Sequence, residues 1–530
     1  MKVFQLSTSW RKRLPWLGAV ASGLLLASAF PPLEWKELAW VGLIPLLFAV
    51  RGASPRDALK LGYVAGLAFW LPIVSWLRYV TVFGWLLLAA YCALYVAPFA
   101  LFCCLWLRQR DPAKWWNNLG FMVVGAAVWV TLEYARSIWF TGFPWNTLAI
   151  SQFEFVPLIQ IASWGGVYAV SALLLVLNLG IGTTLLRYLL AGARPGRTAH
   201  PEILLPLLVV ALAMSWGMQV IRSPRPPSTP IHIGIVQPNI PQPFKWDAST
   251  VDLIFERLHR HTLEVQEEGD LDLIVWPETA LPADVRNSEV CYDFVRSLTW
   301  GKTPLLVGST DTAWTDDREP IFFNSSFLFD EKATLRAGYD KQHLVLFGEY
   351  LPFENLLPFL TALTPNQASF SAGTNAVVMT MDRPPVALSP LICFEDTLPY
   401  LGRRAVLAGA RLLINQTNDA WFEQSSASRQ HLAHGVFRSV ENRVPTVRAA
   451  NTGISGHIDE FGVIAATLAD DTGNTFVEGS LKVWVLTPPE EMALTFYTRR
   501  GDLFAWGCVV LACFWGVGQG MRARRERRGT

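Results

Sequence analysis

The stretch Leu388-Ser389-Pro390-Leu391-Ile392-Cys393-Phe394-Glu395-Asp396 runs from an apolar segment into a thiol and two carboxylates. With the residues before it, 386–393 (VALSPLIC) reads as a buried strand, because a short apolar run bounded by polar residues suits a strand covered on both faces. Side chains that carry chemistry in α/β folds sit just past the carboxyl ends of such strands. Two other runs end in the same way. The run 271–276 (LDLIVW) passes through Pro277 to Glu278, and the connection after 322–329 (FFNSSFLF) ends in Tyr339-Asp340-Lys341. A thiol, a carboxylate and an ammonium at three separate strand ends are the parts of covalent acyl transfer: nucleophile, base and oxyanion stabiliser.

Around these ends the same alternation continues. Residues 231–237 (IHIGIVQ), 304–308 (PLLVG) and 411–416 (RLLINQ) read as further strands, and 445–450 as extended. Residues 250–267 place Val251, Phe255, Leu258, Thr262 and Val265 on one face of a helix that Ser249 would cap, and 426–443 also read as helical. Strands alternating with helices predict an α/β domain. Pro224, Pro226, Pro227 and Pro230 precede it as a stiff linker.

The rest of the 530 residues differ in kind. Charged residues are only 16% and apolar ones 52%, with 23 Trp and a mean hydropathy of +0.29. Approximate apolar runs cover 14–30, 38–50, 61–78, 83–107, 118–138, 164–186, 203–221 and 503–521, each near the 20 residues a bilayer requires or somewhat short of it. Basic residues occupy every other loop: Arg11 to Arg13, then Arg51, Arg56 and Lys60, then Arg108, Arg110 and Lys114, then Arg187, Arg194 and Arg197, and finally Arg522 to Arg528. That pattern predicts eight crossings with both termini cytoplasmic. Ala27-Ser28-Ala29 after the first run imitates a signal-peptide cleavage site, but seven further runs favour an uncleaved helix. The expected organisation is a membrane domain over 1–221, an external domain over 222–502, and a last helix with a basic tail over 503–530.

Lys plus Arg is 44 against 43 Asp plus Glu, so bulk charge predicts no nucleic-acid partner. Neither a Walker loop nor a GxGxxG opening a βα unit is present. Of the seven cysteines only Cys291 and Cys393 lie in the polar part, and a disulfide between them is the alternative to a reactive Cys393. His431 and His434 have the spacing of a helical metal pair but no third ligand, and are read as surface or packing residues; no metal or cofactor is expected. Glu133 and Arg136, in an apolar helix, either pair with each other or bring Arg136 to a lipid phosphate.

WPETALP (276–282), YDKQHLVLFGEYLP (339–352) and LSPLICFED (388–396) resemble the three motifs of the nitrilase, or carbon–nitrogen hydrolase, superfamily. The likeness is closer to the apolipoprotein N-acyltransferases, supported by IVQPNIPQPFKWD (235–247) and TGFPWN (141–146). The resemblance implies a membrane domain of eight transmembrane helices plus a nitrilase-like α-β-β-α sandwich, in the inner membrane with the catalytic domain periplasmic. It implies Cys393 as nucleophile, Glu278 as base and Lys341 as oxyanion stabiliser. Glu349, Glu395, Asn324 and Phe394 would support them, with Trp246 contacting lipid or lipopeptide; Arg136 is a candidate substrate contact on its own reading as a charge in an apolar helix, not from the resemblance. The implied reaction carries an acyl chain from a phospholipid, through a Cys393 thioester, to the N-terminal amine of diacylglyceryl-cysteine apolipoproteins. An amidase using water as acceptor is the alternative. Phe394 stands where tyrosine is frequent in the family, which removes a phenolic hydroxyl but keeps an aromatic wall.

Overall fold

The computed structural model describes residues 8–190, 200–350 and 369–528; Arg194, Arg197, Leu351 and Pro352 lie outside the described residues. The chain divides into two compact units, Ser223–Arg499 and Met1–Arg222 together with Arg500–Thr530.

The second of these is helical. Five of its described segments are long and apolar enough to cross a membrane: Val82–Gln109, Trp115–Thr141, Val167–Leu189, Pro201–Arg222 and Leu503–Arg522. Helices Thr8–Ser28 and Pro55–Ile73 accompany them, the latter capped by the Ser54 hydroxyl accepting from the Asp57 amide. The apolar run at 38–50 departs from expectation. Pro45 suits only a first turn, so the helix begins at Ile44 and ends at Val50. Seven residues rise about 10 Å, a third of the hydrocarbon thickness.

Among the described residues the other unit contains twelve strands: β1 (Thr229–Gln237), β2 (Leu273–Val275), β3 (Leu305–Trp314), β4 (Pro320–Phe329), β5 (Leu335–Asp340), β6 (Met379–Asp382), β7 (Pro385–Ile392), β8 (Leu412–Thr417), β9 (Thr446–Ala450), β10 (Gly456–Ile458), β11 (Ile464–Thr467) and β12 (Gly479–Thr487). They form two six-stranded sheets, ordered β12-β1-β2-β3-β4-β5 and β11-β10-β9-β8-β7-β6. Parallel pairs (β1·β2, β2·β3, β7·β8, β8·β9) occupy the centres and antiparallel pairs the flanks.

Period-two alternation builds the layers. Ile231, Ile233 and Ile235 of β1 meet Leu412 and Ile414 of β8 in the core between the sheets, while the intervening Val236 and Leu413 turn outward. On one outer face, Ile254, Leu258 and Val265 of helix Val251–Glu267 pack with Cys291, Val295 and Leu298 of helix Glu289–Thr299. On the other, Leu401, Ala405 and Val406 of helix Pro399–Leu407 cover Leu391 and Leu413. The result is the α-β-β-α sandwich. Ser249 does not cap the first of these helices: Thr250 holds the cap position, and the Ser249 amide donates instead to Asp247 in the preceding turn. Cys291 and Cys393 are both free thiols, so the disulfide alternative is excluded.

Candidate active site

Each of the three expected residues stands just past a strand carboxyl end: Glu278 after β2, Lys341 directly after β5, Cys393 directly after β7. The turn carrying Glu278 is fixed from two sides. Gln416 of β8 donates across the core to the Trp276 carbonyl at 2.6 Å. Gly308 of β3 lets the chain pass so closely that a Cβ there would lie 2.1 Å from the Pro277 oxygen.

Lys341 is 1% exposed. Its Nζ donates to Glu349 Oε1 at 2.8 Å and lies 3.6 Å from Glu278 Oε1. Asn324 Nδ2 joins the same two carboxylates, at 2.8 Å to Glu278 and 3.2 Å to Glu349. The Val345 amide orients the second Glu349 oxygen. Burial disfavours charge on Lys341, but Glu349, Glu278 and Cys393 together outweigh it and hold the ammonium protonated.

Cys393 has a positive φ of 53°, a strained setting for a residue with a Cβ, at the start of a single helical turn. Burial, and then the Glu278 carboxylate, push its thiol well above the ordinary range, with Lys341 opposing. At neutral pH the thiol keeps its proton and requires a base to attack.

Glu395 joins two of the three strand ends. Its carboxylate accepts from the Ile392 amide at 2.8 Å, the Tyr339 hydroxyl at 2.8 Å, and the Gln342 and His343 amides at 2.7 and 3.0 Å. The turn at Cys393 and the chain leaving Lys341 are thus tied to one buried side chain. Phe394 stacks on His343 with ring centroids 6.0 Å apart. Trp246 is 54% exposed, as is Phe244 nearly, on either side of a buried Lys245.

Lys245 is a residue that sequence reading passed over. Its Nζ donates to the Glu278 carbonyl at 3.1 Å, anchoring the loop that presents Phe244 and Trp246. Burial lowers this ammonium to about 8, against the pull of Glu278 and Cys393. A lysine between two aromatic residues reads as solvent-facing, so no local signal marks it.

Of the two readings of His431 and His434, surface or packing, burial of both residues selects packing. His431 Nε2 lies 3.1 Å from the Cys393 carbonyl and 2.8 Å from Asp396, and its Nδ1 lies 3.0 Å from Asp419. No group of three or more residues among those described could hold a metal ion.

Arg136 belongs to the helical unit. It is 2% exposed, donates to the Phe143 and Trp145 carbonyls, and lies 4.6 Å from the centre of the Trp70 ring. Glu133 meanwhile accepts from Trp129 Nε1 and the Leu148 amide. Glu133 Oε1 and Arg136 Nη1 thereby tie the helix to the segment that contains TGFPWN.

A family model described as the apolipoprotein N-acyltransferase N-terminal domain matches residues 22–180, and the carbon–nitrogen hydrolase model matches 232–482. A Geobacter metallireducens protein named apolipoprotein N-acyltransferase is 38% identical over 94% of this chain and 94% of its own. Proteins of the same name from Azotobacter vinelandii and Brucella melitensis are 31% and 30% identical, over 98% and 88% of this chain and 98% and 89% of theirs. The solved structure of Saccharomyces cerevisiae Nit3, of the nitrilase superfamily, matches with a TM-score of 0.34 and 18% identity, over 51% of this chain and 93% of its own. With a full-length relative at 38% identity and both halves matched in their expected order, the chain belongs to the apolipoprotein N-acyltransferase family.

Proposed function

We propose that this enzyme transfers a phospholipid acyl chain through a thioester on Cys393 to the N-terminal amine of a diacylglyceryl-cysteine apolipoprotein. The observation that carries the assignment of roles is the Lys341 ammonium set between Glu278 and Glu349 and sensed by the Cys393 thiol. In the first half-reaction Glu278 takes the Cys393 proton and the thiolate attacks the ester carbonyl. Lys341 stabilises the oxyanion, the C–O bond breaks, and Glu278 returns the proton to the departing lysophospholipid oxygen. In the second, the neutral amine attacks the thioester and gives its proton to Glu278. The C–S bond breaks and the thiolate recovers that proton. Asn324 and Glu349 hold the base and the ammonium in register, and Trp246 offers an apolar contact to acyl chains.

The membrane location explains the acceptor. Both substrates are lipids, and one site facing the outer leaflet would serve them in turn. The eight-crossing topology is part of this proposal, with both termini cytoplasmic and the sandwich periplasmic, in the inner membrane. It rests on the alternating basic loops: Thr8–Ser28 and Pro55–Ile73 join the five long apolar helices, and the loop charges require one more passage at 38–50, where the short helix Ile44–Val50 covers only part of the thickness. Arg136 is given no lipid contact in this scheme; its Nη1 donates to the Phe143 and Trp145 carbonyls.

Mass spectrometry after incubation with phospholipid alone tests the scheme. An acyl mass on the peptide bearing Cys393 is expected, absent in Cys393→Ala, and discharged by a diacylglyceryl-cysteine peptide. Repeated absence of that mass in the wild type would sink the thioester route. Release of free fatty acid at an undiminished rate without acceptor would favour the amidase.

A further inference from the structure

A closed group of four charges lies directly beneath Cys393. Asp396, Asp419, His431 and Arg448 are each buried to 2% exposure or less. Arg448 reaches Asp419 at 2.8 Å and Asp396 at 3.3 Å, and donates to Asn415 Oδ1 at 2.7 Å. That last bond fixes the Asn415 amide so that its Nδ2 donates to the Cys393 carbonyl at 3.1 Å. His431 Nε2 faces two pure acceptors, the Cys393 carbonyl and Asp396 Oδ1, and therefore carries a proton. Burial and Arg448 disfavour a charged ring, but Asp396 and Asp419 outweigh both and raise His431 to about 9. Arg448 Nη2, 2.9 Å from Nδ1, shares the Asp419 carboxylate with the ring.

Burying four charges is costly and needs a return beyond stability. The group converges on one backbone carbonyl, that of a residue held at positive φ. Two donors on this oxygen, one of them an imidazolium, fix the plane of the Cys393–Phe394 peptide. The peptide is trans, so its N–H points away from the gripped oxygen. Hydrogen-bond donation to the oxygen also polarises the amide and strengthens that N–H as a donor.

We propose that Asp396, Asp419, His431 and Arg448, acting with Asn415, form a positioning device that orients and polarises the Cys393–Phe394 peptide as a second support for the oxyanion, beside Lys341. This inference rests on the Cys393 thioester reading. His431 and Asn415 are positioning residues: they act on the peptide and not on the substrate.

Two rates on the same thiol test it. Acylation of Cys393 by phospholipid passes through an oxyanion, whereas alkylation by iodoacetamide does not. In the full chain in detergent, His431→Gln removes the ring charge, and Asn415→Ala removes the other carbonyl donor while leaving the four charges in place. Both are expected to slow single-turnover acylation about 100-fold, the scale of a lost oxyanion donor. Alkylation of Cys393 is expected to stay within about twofold of wild type, since a thiolate attacking an alkyl iodide develops no oxyanion to be held. Equal losses in both rates would mean the group only holds the fold, and unchanged acylation would mean it has no catalytic effect; either overturns the inference. Should His431→Gln fail to fold, Asn415→Ala decides alone. Wild type that alkylates but never acylates would refute the thioester reading itself.

Discussion

Residue by residue, the site is organised by charges that cannot be solvated. Lys341, Glu278 and Glu349 satisfy one another, and the thiol is left protonated among them. Cys393 should therefore react slowly with iodoacetamide at pH 7, with a rate still climbing at pH 10, where an ordinary thiol near 8.5 has levelled off. A plateau near pH 8 would contradict the burial argument. Glu395 makes a different prediction. Glutamine in its place retains one acceptor oxygen for four donors, leaving buried N–H groups unpaired at a cost of about 1–3 kcal/mol each. Glu395→Gln should lower both the unfolding midpoint and the acylation rate, the latter by at least about tenfold, because the Cys393 turn and the Lys341 segment lose their common anchor. Stopped-quench acylation and a thermal scan measure the two effects.

At the scale of elements, close approach of strand ends is what assembles the site. β3 must pass within contact of the Pro277–Glu278 backbone, and only glycine at 308 allows it. Gly308→Ala should displace that segment, costing about 1–3 kcal/mol of stability by overpacking and moving the Glu278 carboxylate away from Asn324 and Lys341. A variant with native melting and native acylation would show that the segment is free to shift. The cross-core bond from Gln416 to the Trp276 carbonyl links the sheet bearing Cys393 to the turn bearing Glu278, so the two sheets cannot slide without separating Glu278 from Cys393.

Across the whole molecule, the sandwich depends on charge networks in its interior as well as on its apolar layers. The group beneath Cys393 gives a stability window. Burial would raise Asp419, but Arg448 and His431 outweigh it and hold the carboxyl well below its ordinary 3.8. Its contribution is present above pH 3.8 and is lost as pH falls through the depressed folded value. His431 is raised from 6.5 to about 9, so its contribution is complete below pH 6.5 and lost as pH rises through 9. The unfolding midpoint of the full chain in detergent, followed by tryptophan fluorescence, should be highest between about pH 4 and 6.5 and fall on both sides. His431→Gln should flatten the alkaline arm in particular; an unchanged alkaline arm would mean that His431 is not the titrating group.

Much of this was legible in the sequence because it depends on local patterns. Strands β1, β4, β7, β8 and β9 fall within two residues of the runs that predict them, since β-branched apolar stretches have few other ways to bury themselves. Glu278, Lys341 and Cys393 were legible as strand-end residues, and family resemblance added Asn324, Glu349 and Glu395. The edge strands β5, β6, β11 and β12 left no such trace, because a half-covered edge tolerates mixed composition, and β10 left none because it is only three residues long. The short Ile44–Val50 helix was hidden too: apolarity marks a segment for burial but does not fix its length as a helix. What only the tertiary structure decided is who meets whom. His431, Asp419, Asn415 and Arg448 sit on separate elements, and Lys245 lies between two exposed aromatics. Their partners are distant in sequence, so no local periodicity encodes them; packing brings them to Cys393 and Glu278, and burial then obliges each charge to find an opposite.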